Sequence, residues 1–239
     1  MQLVWFMLIL MFAVFVQALS GFGGTLIAMP LGIALMGLDL TKPVMTIVAW
    51  ITGVVVVAAE WKNINPKELL KMVGVMLVGV LGGLFVMDKV QNLKFLLIFY
   101  GVVVAGIGLK KLFVKSEKRP PVWWQNTSLG LAGIMQGLFV SGGSFLAVYS
   151  VEKLPEKKEF RATVNAVWAI INTVMISTYG FTGALTVPVL KTAAIAVVPT
   201  LVAIWLGWKL AKKVNQETFL KIIYVILIAS GAVLLWTNL

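Results

Sequence analysis

Two glycine-rich stretches, each set inside a long apolar run, constrain the fold of this chain more than any other feature. Residues 17–30 read QALSGFGGTLIAMP, and residues 136–149 read QGLFVSGGSFLAVY. At an offset of 119 positions the two stretches share a glutamine, a leucine, a glycine pair and an alanine, and threonine stands opposite serine. Because glycine pairs permit sharp changes of direction, each stretch predicts a break between two half-helices.

The composition around these stretches is that of a membrane protein. Hydrophobic residues make up 60% of the chain and charged residues 12%, whereas a soluble domain carries about 25% charged residues. A helix needs about 20 residues to cross the hydrocarbon core. Six uncharged intervals each fit one crossing: 43–59, 72–87, 95–109, 162–190, 192–208 and 222–239. We therefore predict an all-α integral membrane protein.

Two further uncharged intervals, 1–38 and 120–151, are too long for one crossing, and both contain a glycine-rich stretch. A continuous helix of that length would measure roughly 50 Å, against a hydrocarbon core of about 30 Å. Either the half-helices form one bent crossing with an interfacial piece, or they fold back as a re-entrant hairpin.

The positions of lysine and arginine favour the hairpin. If every interval crosses once, the two sides hold 9 and 11 of the 20 basic residues, whereas two re-entrant intervals place 16 on one side and 4 on the other. The positive-inside rule expects the second distribution. We therefore predict that the basic side is cytoplasmic and that both termini are extracytoplasmic.

The glycine-rich stretches belong to a longer duplication. Residues 77–90 align with residues 201–214 at an offset of 124. The sequence thus predicts a first transmembrane repeat over 1–114, a basic linker over 115–121 and a second repeat over 122–239. With one hairpin and three crossings per repeat, the second repeat is inverted relative to the first, which is a recurring plan among transporters.

The start of a half-helix inside the membrane is a place where an anion can bind. Its first backbone N–H groups have no partner within the helix, and the helix dipole favours negative charge there. The predicted anion-binding residues of the two stretches are Gln17, Ser20, Gly23, Gly24, Thr25, Gln136, Ser141, Gly142, Gly143 and Ser144. The alternative is that the glycines only allow close helix packing while the hydroxyls bond backbone carbonyls.

Arg161, Asn165 and Asn172 follow the second stretch in the chain and extend this predicted site. Asn165 and Asn172 lie seven positions apart, on one face of a predicted span. They are predicted either to line the anion route or to join helices by hydrogen bonds. Arg161 precedes them, and its fork-shaped guanidinium suits a sulfonate or sulfite, although an interfacial anchor is the simpler interpretation.

Small residues recur four positions apart in the other spans, as in the pairs Gly79 and Gly83, and Gly133 and Gly137. Such pairs predict faces at which helices approach closely. They are interpreted as structural.

The residues that the chain lacks narrow the functional class. It contains no cysteine and no histidine, so thiolate chemistry, the usual proton shuttle and the commonest metal ligand are excluded. Asp39 and Asp88 lie at span ends, and Glu60 at a span edge. We expect no enzyme activity, cofactor or metal. The net charge of +11 is attributed to loop lysines beside lipid, and not to nucleic-acid binding.

The motifs at both stretches resemble those of the sulfite exporter TauE/SafE family, also called TSUP or DUF81. These are G-x-G-G ahead of Pro30, S-G-G-S at 141–144, and the run from Arg161 to Thr163 with its two asparagines. The resemblance covers essentially all 239 residues. It implies a bacterial or archaeal plasma-membrane transporter of sulfite, sulfoacetate or related organosulfonates. Tyr149 stands where the first stretch has Pro30, so the two hairpins need not contribute equally.

Three functional hypotheses follow. The first is a carrier that binds a small sulfur-containing oxyanion at mid-membrane and rocks its two halves around the hairpin tips. The second is an anion channel of the same architecture. The third is a membrane scaffold protein that transports nothing. Substrate, direction, coupling ion and oligomeric state are left open at this stage.

Overall fold

The computed structural model describes residues 1–87, 93–113 and 121–238, and the regular structure in these ranges is helical. A short 3-10 turn, Trp61–Asn63, follows the third helix. In chain order the α-helices are α1 (Gln2–Ser20), α2 (Gly24–Met36), α3 (Leu38–Glu60), α4 (Pro66–Met87), α5 (Leu93–Phe113), α6 (Val122–Phe139), α7 (Gly143–Lys153), α8 (Lys157–Phe181), α9 (Val187–Lys213) and α10 (Gln216–Asn238).

Six helices in the described ranges are long and apolar enough to cross a membrane, namely α1, α3, α4, α8, α9 and α10. This confirms the prediction of an all-α integral membrane protein. Helix α1 is among the six by its length and composition. The re-entrant path of interval 1–38, without a crossing, stays a prediction. Residues 115–120 of the predicted linker lie outside the described residues, as do Lys89 and Val90 of the aligned repeat.

Both predicted helix breaks are present, and each begins with a residue in the left-handed conformation. Gly21, after α1, has φ 94° and donates its N–H to the Gln17 carbonyl oxygen at 2.7 Å. Val140, after α6, has φ 54°. Glycine adopts this conformation without strain, whereas a residue with a Cβ pays roughly 1–2 kcal/mol. Val140 is 1% exposed, so the burial of its side chain offsets that strain.

The chain folds into two compact units, each formed from two segments. Unit 1 comprises residues 1–73 and 158–213 and contains α1, α2, α3, α8 and α9. Unit 2 comprises the described residues of 74–157 and 214–239 and contains most of α4 together with α5, α6, α7 and α10.

In unit 1, α1 and α2 form an antiparallel helical hairpin. Gly24, at the start of α2, lies against Ala13, and Gly32, near its end, lies against Phe6. Helix α2 therefore returns toward the beginning of α1. A methyl group added at Gly24 would lie 1.8 Å from the Ala13 carbonyl oxygen. The absence of a side chain is thus what lets the two helices pack.

In unit 2, α6 and α7 make the equivalent contact. A methyl group added at Gly142 would lie 2.0 Å from the carbonyl oxygen of Ala132, the residue that the 119-position offset equates with Ala13. Helices α5 and α10 pack through Gly101 and Gly231, where an added Cβ would also approach backbone atoms at 3.0 Å or less. The unit is thus built on close glycine contacts.

The duplication extends to how helices from different halves pack. Gly207 on α9 lies against Phe15 and Ala18 on α1. Gly83 on α4 lies against Ile134 and Gly137 on α6, which are the repeat equivalents of Phe15 and Ala18. Each hairpin therefore packs against a helix of the opposite half. The division into halves at 1–114 and 122–239, and their inverted orientation, stay predictions from sequence.

Candidate functional site

The predicted site residues fall into two groups, one in each compact unit. Unit 1 holds the residues of the first turn, which we define as residues 20–24, and those on α8. Unit 2 holds the residues of the second turn, defined as residues 140–144. The members of the two groups are, respectively, Gln17, Ser20, Gly23, Gly24, Thr25, Arg161, Asn165 and Asn172, and Gln136, Ser141, Gly142, Gly143 and Ser144.

Side chains of α8 hold the first turn in place. Trp168 donates its indole N–H to the Gly21 carbonyl oxygen at 2.9 Å. The ring of Phe160 meets that of Phe22 edge-on, with centroids 6.4 Å apart. The last four carbonyls of a helix have no partner within it, and an external donor at the end of α1 is therefore stabilising.

Arg161 supplies the strongest of these contacts. Its Nε and Nη2 donate to the Ala18 carbonyl oxygen at 3.2 and 2.9 Å, so a cation sits at the negative end of the α1 dipole. Its Nη1 donates to Oε1 of Glu60 at 2.9 Å. With 3% of its surface exposed, Arg161 does not fit the interfacial-anchor interpretation.

Glu60 is the residue at this site that the sequence did not indicate. Its Oε1 accepts from Arg161 and, at 3.1 Å, from the indole N–H of Trp208 on α9. Its Oε2 is buried and has no hydrogen-bond partner in the described part of the chain. The sequence does contain a signal that Glu60 lies near Arg161. The predicted inverted repeats place the end of α3 and the start of its equivalent, α8, on the same side of the membrane.

The remaining polar groups of the first turn are bonded to backbone. Gln17 donates its side-chain amide to the Ala49 carbonyl oxygen at 3.3 Å. Ser20 Oγ lies 2.7 Å from the Val16 carbonyl oxygen and 2.8 Å from that of Phe22. Gly23 and Gly24 are buried, and Thr25 is partly exposed. This turn matches the alternative in which hydroxyls satisfy carbonyls.

The two asparagines are both buried on α8. Asn165 donates its amide to the Arg161 carbonyl oxygen at 2.8 Å, while its Oδ1 has no partner. Its backbone carbonyl lies where a Cβ on Gly53 of α3 would point. Asn172 is 1% exposed, two turns further along the helix. The structure thus brings Asn165 to Arg161 and leaves Asn172 deeper in unit 1.

The second turn differs from the first in its serine hydroxyls, which donate to no backbone carbonyl of the described residues. Gly142 donates its N–H to Oε1 of Gln136 at 3.2 Å. Tyr100 on α5 donates its hydroxyl to the Ser141 carbonyl oxygen at 2.5 Å, and its ring stacks on Phe145. Among the described residues, the buried Oγ atom of Ser141 has no hydrogen-bond partner, and that of Ser144 has none of normal geometry but lies beside the Tyr100 hydroxyl. Sequence analysis did not find Tyr100.

The start of α7 adds backbone donors to these hydroxyls. The first intrahelical bond runs from the Leu146 N–H to the Gly142 carbonyl oxygen at 3.1 Å. The N–H groups of Gly143, Ser144 and Phe145 therefore precede the helical ladder. Ser141 is 4% exposed and Ser144 is fully buried. Amide and hydroxyl donors around a helix N-terminus are a chemical environment that suits an oxyanion.

A cavity of about 500 Å³ opens in unit 1 where α3 and α9 begin. Buried Lys42 lines it together with Asp39, Tyr179 and Thr186. Tyr179 Oη lies 3.5 Å from Thr46 Oγ1. The cavity is at the opposite end of α3 from Glu60.

Comparison with known proteins identifies a family that this chain matches. A family model described as sulfite exporter TauE/SafE matches residues 6–234. The probable inner membrane transporter protein TsaS of Comamonas testosteroni is 25% identical over 159 residues, which cover 65% of this chain and 66% of that protein. The match spans slightly less than two thirds of that relative's own length. No solved structure matches the chain.

Proposed function

The chain belongs to the sulfite exporter TauE/SafE family of membrane transporters, and from this membership we propose that it carries small sulfur-containing oxyanions such as sulfite or sulfoacetate. Each unit offers an anion a binding position of its own, at the N-terminus of α2 in unit 1 and at the N-terminus of α7 in unit 2. The basic side of the membrane protein is cytoplasmic.

One observation supports this proposal above the others. Among the described residues, the buried hydroxyl of Ser141 in the second turn has no hydrogen-bond partner, and that of Ser144 has only the neighbouring Tyr100 hydroxyl. An unsatisfied buried hydroxyl costs about 1–3 kcal/mol, and a bound oxyanion that accepts from it relieves that cost. Donors that converge on a helix N-terminus select a negatively charged ligand with several acceptor oxygens, which is the chemistry of sulfite and sulfonates.

The two turns offer an anion different groups. In the second turn, hydroxyl and backbone N–H donors are available to the ligand. In the first turn, the donors of Gln17 and Ser20 are bonded to carbonyls, so its contribution is the start of α2 and the nearby guanidinium of Arg161. This asymmetry agrees with the sequence differences between the two stretches.

The proposal is tested by thermal unfolding of the purified protein in detergent, with sulfite, sulfate or sulfoacetate and with acetate as control. An anion that binds only the folded protein stabilises it by about 2.7 kcal/mol at 100 times its Kd. We expect a higher Tm with at least one sulfur oxyanion and none with acetate. No shift with any of them supports the scaffold hypothesis.

Serine variants separate ligand binding from folding. Ser141→Ala removes an unsatisfied hydroxyl and Ser144→Ala one that makes no hydrogen bond of normal geometry, so without anion their Tm is unchanged or higher, while the anion-dependent shift is lost. Ser20→Ala is the matched control, because its hydroxyl bonds two carbonyls. We expect it to lose about 1 kcal/mol without anion and to keep the shift. Full anion shifts in both second-turn variants contradict the proposed site.

Reconstituted protein distinguishes a carrier from a channel. A carrier exchanges labelled sulfite for unlabelled sulfite across proteoliposomes and gives no unitary current. A channel of the same architecture passes single-channel currents in a planar bilayer.

A further inference from the structure

Glu60 and Arg161 form a buried ion pair at the first turn, and the pair is incomplete. The side chain of Glu60 is 11% exposed and that of Arg161 is 3% exposed. Both hydrogen bonds to the carboxylate end on Oε1, while Oε2 is buried without a partner. A desolvated carboxylate is costly unless its oxygens are paired. The carboxylate therefore has one acceptor oxygen that no described group uses.

Arg161 is the ion-pair partner of Glu60 among the described residues. Helix α1 carries no charged side chain. On α9, the ammonium groups of Lys209 and Lys212 lie over the rings of Trp205 and Trp208.

Two other charged groups near this end of α3 have partners of their own. Lys62 lies over the ring of Trp61. Glu159 of α8 accepts from the side-chain amide of Asn65 at 2.8 Å.

Arg161 is placed to exchange partners. Its Nε and Nη2 bond the Ala18 carbonyl oxygen, three residues before Gly21, while only Nη1 reaches Glu60. An oxyanion at the first turn can attract Nη1 away from Glu60 while the other two donors stay on Ala18. A guanidinium suits this exchange because its donors are arranged as a planar fork.

We propose that Glu60 is the proton-binding group that couples anion movement to proton movement, an inference that rests on the proposed anion-transport function. When the anion takes Arg161, the buried carboxylate loses its counter-ion and accepts a proton from water at Oε2. The charge balances in both states. Arg161 and ionised Glu60 sum to zero, as do Arg161, a monovalent anion and protonated Glu60. The anion and the proton therefore move in the same direction.

The test uses proteoliposomes that contain the full chain and a luminal pH dye. A sulfite gradient is imposed at a mildly acidic pH, where the anion is monovalent hydrogen sulfite on both sides and releases no proton of its own. The proton flux of each variant is divided by its own exchange of labelled sulfite. We expect a flux in the wild-type protein that is lost in Glu60→Gln, whose amide oxygen still accepts from Arg161 and Trp208 but cannot take a proton. Exposed Glu156 supplies the control Glu156→Gln, for which the ratio is unchanged.

Infrared difference spectroscopy gives a second readout that needs no transport. Adding sulfite to the wild-type protein should produce the carbonyl band of a protonated carboxylic acid, and this band should be absent in Glu60→Gln. If that variant exchanges no sulfite, the infrared result on the wild-type protein decides. A band that persists in Glu60→Gln overturns the inference.

The outcomes separate this inference from the proposed function. Wild-type sulfite exchange without proton flux overturns proton coupling and leaves the transporter standing. Exchange that depends on a sodium gradient and moves no protons also overturns it. If the wild-type protein neither exchanges sulfite nor is stabilised by it, the proposed function fails and this inference fails with it.

Discussion

Single residues at the first turn do more than the sequence pattern suggests. The sequence offers Arg161 as an anion ligand or an interfacial anchor, and in the structure it closes the end of α1 and neutralises Glu60. Residue type and position indicated that Arg161 is important. They did not indicate its partner, because Glu60 lies 101 positions away and a charge at a span edge usually faces the headgroups.

Removing one member of this pair is predicted to cost more than removing both. Arg161→Met leaves Glu60 buried without a counter-ion, at a cost of about 3–5 kcal/mol. Combining it with Glu60→Gln restores most of that loss, since no uncompensated charge remains. Chemical unfolding in mixed micelles measures both variants.

The matched control for this prediction is Lys221→Met. It breaks the pair between Lys221 and Glu217, whose side chains are 61% and 77% exposed. Such a pair is worth about 0.3–0.5 kcal/mol. Equal losses in the single and the double variant of the buried pair would contradict the assignment.

At the scale of elements, the two hairpins depend on glycines that touch backbone. We predict that Gly24→Ala and Gly142→Ala each destabilise the protein by several kcal/mol, on the order of 3–5, because the added methyl group would lie 1.8 or 2.0 Å from a carbonyl oxygen. Yield of monodisperse protein and Tm are the measurements.

Two other glycines provide the contrast. Gly82 and Gly130 have nothing within 4 Å of an added Cβ. Alanine at either position should raise stability by up to about 1 kcal/mol, because glycine is a poor helix former. Tolerance of alanine at Gly24 would show that α2 does not pack against α1 as described.

The breaks themselves could be predicted from sequence because a glycine pair acts locally. The register of each hairpin could not. Gly21 and Val140 are equivalent and both left-handed, but Gly23 has φ 86° whereas its equivalent Gly142 has φ −65°. The extra left-handed residue moves the close contact by one position, from Gly142 in the second turn to Gly24 in the first. A sequence alignment does not show this conformational difference.

At the scale of the whole molecule, sequence halves and compact units divide the chain differently. Each unit combines the hairpin of one half with helices of the other. The repeat was visible in the sequence because the two glycine-rich stretches resemble each other. The exchange of helices was not, because it depends on contacts between segments far apart in the chain.

The predicted orientation can be tested with single cysteines, since the natural chain has none. Thr186 directly precedes α9, and Lys213 is its last residue. The helix has 27 residues and a length of about 40 Å. An impermeant maleimide should label Thr186→Cys in intact cells, but Lys213→Cys only after permeabilisation. The reverse pattern would invert the orientation, and labelling of both in intact cells would exclude a crossing by α9.

The paired contacts of Gly83 with Gly137 and of Gly207 with Ala18 bear on how such a chain could have arisen. A single half, expressed before any gene duplication, would have presented a hairpin and a helix that do not cover each other. Only a second copy could have covered them, so the ancestral protein would have been an obligate dimer whose two identical subunits exchanged helices. Fusion then turned an encounter between two molecules into a contact within one, and left the two hairpins free to diverge.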